Sequence, residues 1–178
     1  METYHHGSLR AELLGLAAET LESSGVHALS LRDLARRAGV SHAAPIHHFG
    51  TRTGLLTELA RQGFEGLAAV LSDAGDDLYD AGVAYVRWGV GHPGLYGVMW
   101  QTELLDRTHE PLERARRDAW HHLERCLGPS TEARRTDALA AFALVHGVVQ
   151  LILSGAEPRI QDDEASLRDL LRRLTPAS

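Results

Sequence analysis

Runs of apolar residues at three-to-four spacing, each broken by a proline or glycine, most limit what this chain can fold into. Of the six prolines, Pro93, Pro111, Pro129, Pro158 and Pro176 all fall where one run gives way to the next; Pro45 is the exception. A chain cut this way folds as a series of helices with short connections. Residue choice agrees, since Leu and Ala together supply 52 positions while Val and Ile supply 13, and the former favour helix where the latter favour sheet. The expected fold is all-α, with about nine helices. The first runs from Ser8 as N-cap to Ser24, just before Gly25. A second spans Leu31 to Ala38 with Ser30 as cap, and a third spans Ala43 to His48 with Ser41 as cap. The fourth begins after Gly50 and runs toward Leu71. After a loop at Asp73 to Asp77, a fifth places Leu78, Ala81, Tyr85, Trp88 and His92 on one face. Further helices are expected at 94–105, 111–127, 132–154 and 163–174.

Charge is distributed unevenly. All 18 basic residues are arginine and the net charge is -6, which argues against a generally sticky nucleic-acid coat. The first 61 residues nevertheless hold six Arg and six acids, so the remainder of the chain carries the whole negative balance. Any DNA contact belongs in residues 1–61. The N-terminus shows no secretory pattern, so a cytoplasmic location is expected. The longest apolar stretch, Ala138 to Leu153, has 16 residues interrupted by His146, Gly147 and Gln150, so no membrane span is expected. A lone cysteine, Cys126, excludes an intrachain disulfide framework or a cysteine-built zinc site.

Catalysis finds no foothold. Among the 11 histidines, His5 and His6, His47 and His48, and His121 and His122 are adjacent pairs, and neighbours on a helix point about 100° apart instead of converging on one metal. None of HExxH, GxSxG, CxxC or a phosphate-binding glycine loop occurs. No catalytic residue, metal site or cofactor is expected.

The stretch Leu31 to Phe49, LRDLARRAGVSHAAPIHHF, has the spacing of a helix-turn-helix. Two helices crossing steeply need a small residue where they touch and a turn residue that accepts positive φ. Ala35 and Gly39, four apart, supply these, and Leu34, Ala38 and Val40 supply apolar contacts around them. With an amphipathic helix ending in GVHALSLRDLARRAGVS and then HAAPIHHFGTRTGLL, the first 65 residues resemble the TetR family of bacterial transcriptional repressors. HPGLYGVMW and AFALVHGVVQLIL also look like segments of one branch of that family.

That resemblance implies a DNA-binding domain at 1–54, a connecting fourth helix at 55–72 and an effector-binding and dimerisation domain at 73–178. It implies a DNA-contacting set of Ser30, Arg32, Ser41, His42, Ala43, Ala44, Ile46, His47, His48, Thr51 and Arg52. Ser41 would hold a phosphate, and His42, Ala43, Ala44 and His47 would face the major groove. Two features depart from the family pattern. Ile46 stands where many relatives have a tyrosine that reaches a phosphate, and it has no hydrogen bond to donate. Pro45 lacks the N–H that would return to Ser41, so the recognition helix should start tight or irregular. No Arg or Lys lies between Ser41 and Thr51, which leaves His42, His47 and His48 as the only ionisable cations there.

The expected partners are a double-stranded palindromic DNA operator, a small-molecule effector and a second copy of the chain. The 132–154 helix, apolar on most of its circumference, and the leucine-striped 163–174 helix are the expected dimer surface. Trp88, Tyr96, Met99, Trp100, Trp120, Phe142 and His146 form an aromatic-rich candidate effector lining. The alternative reading is an all-helical small-molecule-binding protein without DNA-binding activity.

Overall fold

The computed structural model describes residues 6–128, 132–162 and 164–174, and among these it holds nine α-helices, three 3-10 turns and no strand. The helices are α1 (His6–Ser24), α2 (Leu31–Arg37), α3 (Ala43–Phe49), α4 (Arg52–Asp73), α5 (Leu78–Gly91), α6 (Pro93–Trp100), α7 (Glu110–Leu127), α8 (Glu132–Leu153) and α9 (Glu164–Leu174). Most ends fall within a residue or two of the sequence expectation, and three differ. The first helix begins at His6, so Ser8 lies inside its first turn instead of capping it. The residue preceding α3 is His42 and not Ser41. The expected 94–105 helix stops at Trp100, because Gln101 leaves helical geometry at φ -86, ψ 66 and a 3-10 turn, Thr102–Leu104, comes next.

Two compact units organise the chain. The first holds the residues up to Gly63 together with Gly94–Glu113, and the second holds Phe64–Pro93 and the residues from Arg114 onward. In the first unit, Leu13 and Leu21 of α1, Leu34 of α2, Leu55, Leu56 and Leu59 of α4, and Tyr96 of α6 are fully buried. Each buried leucine contributes about 1.5–3 kcal/mol relative to an exposed one. Polar links run beside this core. The Glu22 carboxylate accepts the Gly94 and Leu95 N–H groups at 2.8 and 3.1 Å, capping α6 from α1. Glu58 takes ion pairs from Arg10 at 2.6 Å and Arg61 at 3.2 Å, and His109 Nε2 lies 3.4 Å from its Oε1. Burial alone would raise the Glu58 pKa, but the hydrogen bond from Arg10 and the charges of Arg61 and Arg10 outweigh it and leave the carboxyl below its ordinary range.

In the second unit α5 packs on α8 and α9. Val86, Val149, Leu167 and Leu171 are buried there. Asp77 caps α5, accepting the Tyr79 and Asp80 N–H groups, both at 2.9 Å. His122, only 5% exposed, bridges α7 and the loop after α4. Its Nε2 donates to the Gly75 carbonyl at 3.0 Å and its Nδ1 accepts from Arg125 at 2.8 Å, the roles being set because a carbonyl only accepts and a guanidinium only donates.

Of the leucine stripe expected on a dimer surface, Leu167 and Leu171 turn inward and Leu170 is half-buried. Leu167 and Leu171 are 3% and 4% exposed, since α9 lays them on α5, and the Leu174 side chain lies outside the described residues. On α8 the opposite holds: Leu139, Leu151 and Leu153 are 59%, 47% and 37% exposed. The expectation that nothing reaches membrane-spanning length also needs amending. Arg135–Leu153 is long and apolar enough by length and composition to cross a membrane, with 22% of that stretch buried within the chain.

Candidate nucleic-acid interface

The helix-turn-helix is assembled from local signals. Ser30 starts α2 by accepting the Asp33 N–H at 3.5 Å. At the far end Gly39 takes φ 66, and the Gly39 and Val40 N–H groups return to Arg36 and Ala35 at 3.3 and 3.0 Å. These two bonds form a Schellman motif, which needs a left-handed residue at that position and so favours glycine. Leu34 and Ala35 are 1% and 0% exposed, so the small residue expected at the helix crossing is indeed buried there.

Proline shapes the start of α3. The Ala44 N–H turns back to the Ser41 carbonyl at 3.0 Å, a bond spanning three residues. Pro45 has no N–H to make the next one, so the helix opens with a tight turn as its sequence predicts. Pro45 and Phe49, four residues apart, are the buried pair that seats α3, and the Arg10 guanidinium lies 5.5 Å from the Phe49 ring centroid. Ser41, His42, Ala43, Ile46 and His47 are exposed, while Ala44 and His48 are half-buried at the flank. The side chain of His42 makes no capping bond.

The start of α4 is fixed by a close backbone approach. Thr51 Oγ1 accepts the Gly54 N–H at 3.1 Å and so caps α4. A Cβ on Gly54 would stand 2.1 Å from the Phe49 carbonyl oxygen, so only glycine lets the first turn of α4 lie against the end of α3. Sequence reasoning missed this, because the helical pattern of the region gives no hint of a contact between Gly54 and Phe49.

The two predicted arginines have different surroundings. Arg32 is exposed, and among the described residues no ion pair or hydrogen bond engages it, whereas Arg36 pairs with Asp33 at 2.6 Å and Arg37 with Glu19 at 2.9 Å. Arg52 is half-buried; its Nε donates to the Leu29 carbonyl at 3.0 Å and its Nη2 to the Val26 carbonyl at 2.5 Å. Two of its three nitrogens therefore tie α4 to the segment before α2.

The seven residues of the candidate effector lining fall into separate groups. Trp120, Phe142 and His146 come together in the second unit, with Phe142 5.9 Å from Trp120 and 5.3 Å from His146 between ring centroids. Tyr85 joins them, its hydroxyl 3.3 Å from His146 Nδ1. Burial pushes the His146 pKa down, favouring a neutral ring. Trp88 stacks instead on His92 at 5.0 Å. Tyr96, Met99 and Trp100 belong to the first unit, where Tyr96 and Trp100 form an edge pair at 6.0 Å.

The α2 helix, the Gly39 turn and a short α3 seated by its inner face, with its outer face exposed, form a helix-turn-helix. Residues 13–59 match the family profile of bacterial regulatory proteins of the tetR family, and residues 78–174 match that of tetracyclin repressor-like C-terminal domains. The HTH-type transcriptional regulator BetI of Stenotrophomonas maltophilia (strain R551-3) is 29% identical over 109 residues, which is 57% of this chain and 56% of that protein. The alignment thus spans little more than half the length of that relative. Among solved structures, a protein of unknown function from Rhodococcus sp. RHA1 is 33% identical, with 99% of this chain and 100% of that one covered at a TM-score of 0.81. The regulatory protein SCO4313 shares the fold at a TM-score of 0.82, with 24% identity and 98% of each chain covered. The chain belongs to the TetR family of bacterial regulatory proteins.

Proposed function

We propose that the chain is a ligand-responsive repressor that binds a palindromic operator as a homodimer and releases it when a small molecule enters residues 73–178. Residues 1–54 bind DNA and 55–72 link them to the effector domain. The outer face of α3 carries this reading: His42, Ala43, Ile46 and His47 are exposed together, and Arg32 stands ready for a phosphate. Two-fold binding needs two such faces about 34 Å apart, or a multiple of that, to enter successive major grooves. A ligand that alters their spacing disrupts both contacts at once.

The exposed leucines of α8 support the dimer, since a second copy that covers them removes apolar surface from water at about 25 cal/mol per Å². The cluster of Tyr85, Trp120, Phe142 and His146 supports an uncharged aromatic effector, because its ring faces offer stacking and it carries no charged side chain. Footprinting on the promoter next to the protein's own gene tests the reading. A protected site with inverted symmetry, lost on addition of a compound from a library screen, is expected. Protection without two-fold symmetry counts against it.

A further inference from the structure

Ile46 is 53% exposed, and the other exposed large apolar side chains among the described residues, Leu139, Leu151 and Leu153, all lie on α8. A single exposed isoleucine on a surface is ordinary. Its position is what carries meaning. Pro45 and Phe49 turn the inner face of α3 into the core, and Ile46, about 100° round the helix from Pro45, is exposed together with His42, Ala43 and His47. The chain therefore presents a sec-butyl group within the exposed surface that the reading above turns toward the major groove.

The groove offers few partners for such a group. Phosphate oxygens need a donor, which isoleucine lacks. Base edges present donors, acceptors and one apolar group, the thymine 5-methyl. Branching at Cβ also holds χ1 of Ile46 in one strongly preferred rotamer within a helix, so little side-chain entropy is lost when a contact forms. We propose that Ile46 is a specificity-determining residue that reads a thymine 5-methyl in each operator half-site, in place of a backbone contact. This deepens the DNA-binding reading above and rests on it.

The test uses the full-length chain. Duplexes are enriched from a random pool, each thymine of the enriched site is replaced singly by deoxyuridine, and dissociation constants are measured at fixed ionic strength for wild type, Ile46→Ala and Ala43→Gly. Deoxyuridine removes the methyl and leaves the hydrogen-bonding edge intact. Loss of one buried methyl predicts about a fourfold weaker dissociation constant, and about fifteenfold when both half-sites lose theirs. At one thymine per half-site, wild type and Ala43→Gly should show that loss, while Ile46→Ala binds thymine and deoxyuridine equally. Ile46 is exposed, so thermal unfolding of Ile46→Ala should match wild type and exclude misfolding as the cause. The proposal is overturned if wild type and Ile46→Ala respond alike at every thymine, if the response disappears in Ala43→Gly instead, or if the enriched site contains no thymine. A pool that yields no enriched sequence with wild type overturns the DNA-binding reading itself, an outcome distinct from the other three.

Discussion

Arg52 shows how the partners of one side chain decide its role. Its bonds to the Leu29 and Val26 carbonyls belong to the protein alone, so Arg52→Ala should lower the DNA-free unfolding free energy by about 2 kcal/mol. Chemical denaturation without DNA checks this, and an unchanged midpoint would assign Arg52 to phosphate alone. Glu58 and His146 predict loss of stability in two separate acid windows. Burial lowers the folded-state pKa of His146 below 6.5. The unfolded chain therefore takes up a proton there first, and stability falls as pH drops below about 6.5 until the folded ring also titrates. The folded-state pKa of Glu58 lies below 4.5, so its contribution is full above that value and is lost as pH falls through the lower folded one. Urea midpoints from about pH 7.5 to 3.5 should decline in both windows. His146→Gln should flatten the upper decline and Glu58→Gln the lower; an unaltered upper slope in His146→Gln would remove that ring as its source.

Among the helices, α3 has seven residues, too few to persist alone in water. Its form comes from the Schellman turn before it, the Pro45 and Phe49 anchors beneath it and the first turn of α4 behind it. Gly54→Ala would press a methyl into the Phe49 carbonyl, which stands 2.1 Å from the ideal Cβ. A cost of about 1–3 kcal/mol is expected, and operator affinity should fall as well, because the displaced carbonyl belongs to the recognition helix. Gly15 is the control. It lies within α1 with nothing inside 4 Å of its ideal Cβ, so Gly15→Ala should stabilise by about 1 kcal/mol. Thermal denaturation and operator titration of both variants separate the two cases, and equal stability changes would discount the Phe49 approach.

For the whole molecule, α8 carries apolar residues with opposite roles. Val149 is fully buried and Leu151 is 47% exposed, although both belong to the same apolar stretch. Leu151→Glu should therefore keep its helical circular dichroism and sediment as a monomer. Val149→Glu should lose the fold itself, because it buries a carboxylate without a partner. A dimer that persists in Leu151→Glu would exclude this part of α8 from the interface.

The helices, their approximate ends and the helix-turn-helix were legible in the sequence, because periodic apolar spacing, proline and glycine punctuation and a capping serine all act within a few residues. Ser30, Ala35 and Gly39 signal their roles through neighbours no more than five positions away. Tertiary structure decided what depends on distant parts of the chain. Arg52 finds carbonyls 23 and 26 positions earlier in the chain. The aromatic set divides between two units, and Leu171 turns inward while Leu151 does not. Helical period shows which side chains share a face, but only the packing of one helix on another determines which face is covered.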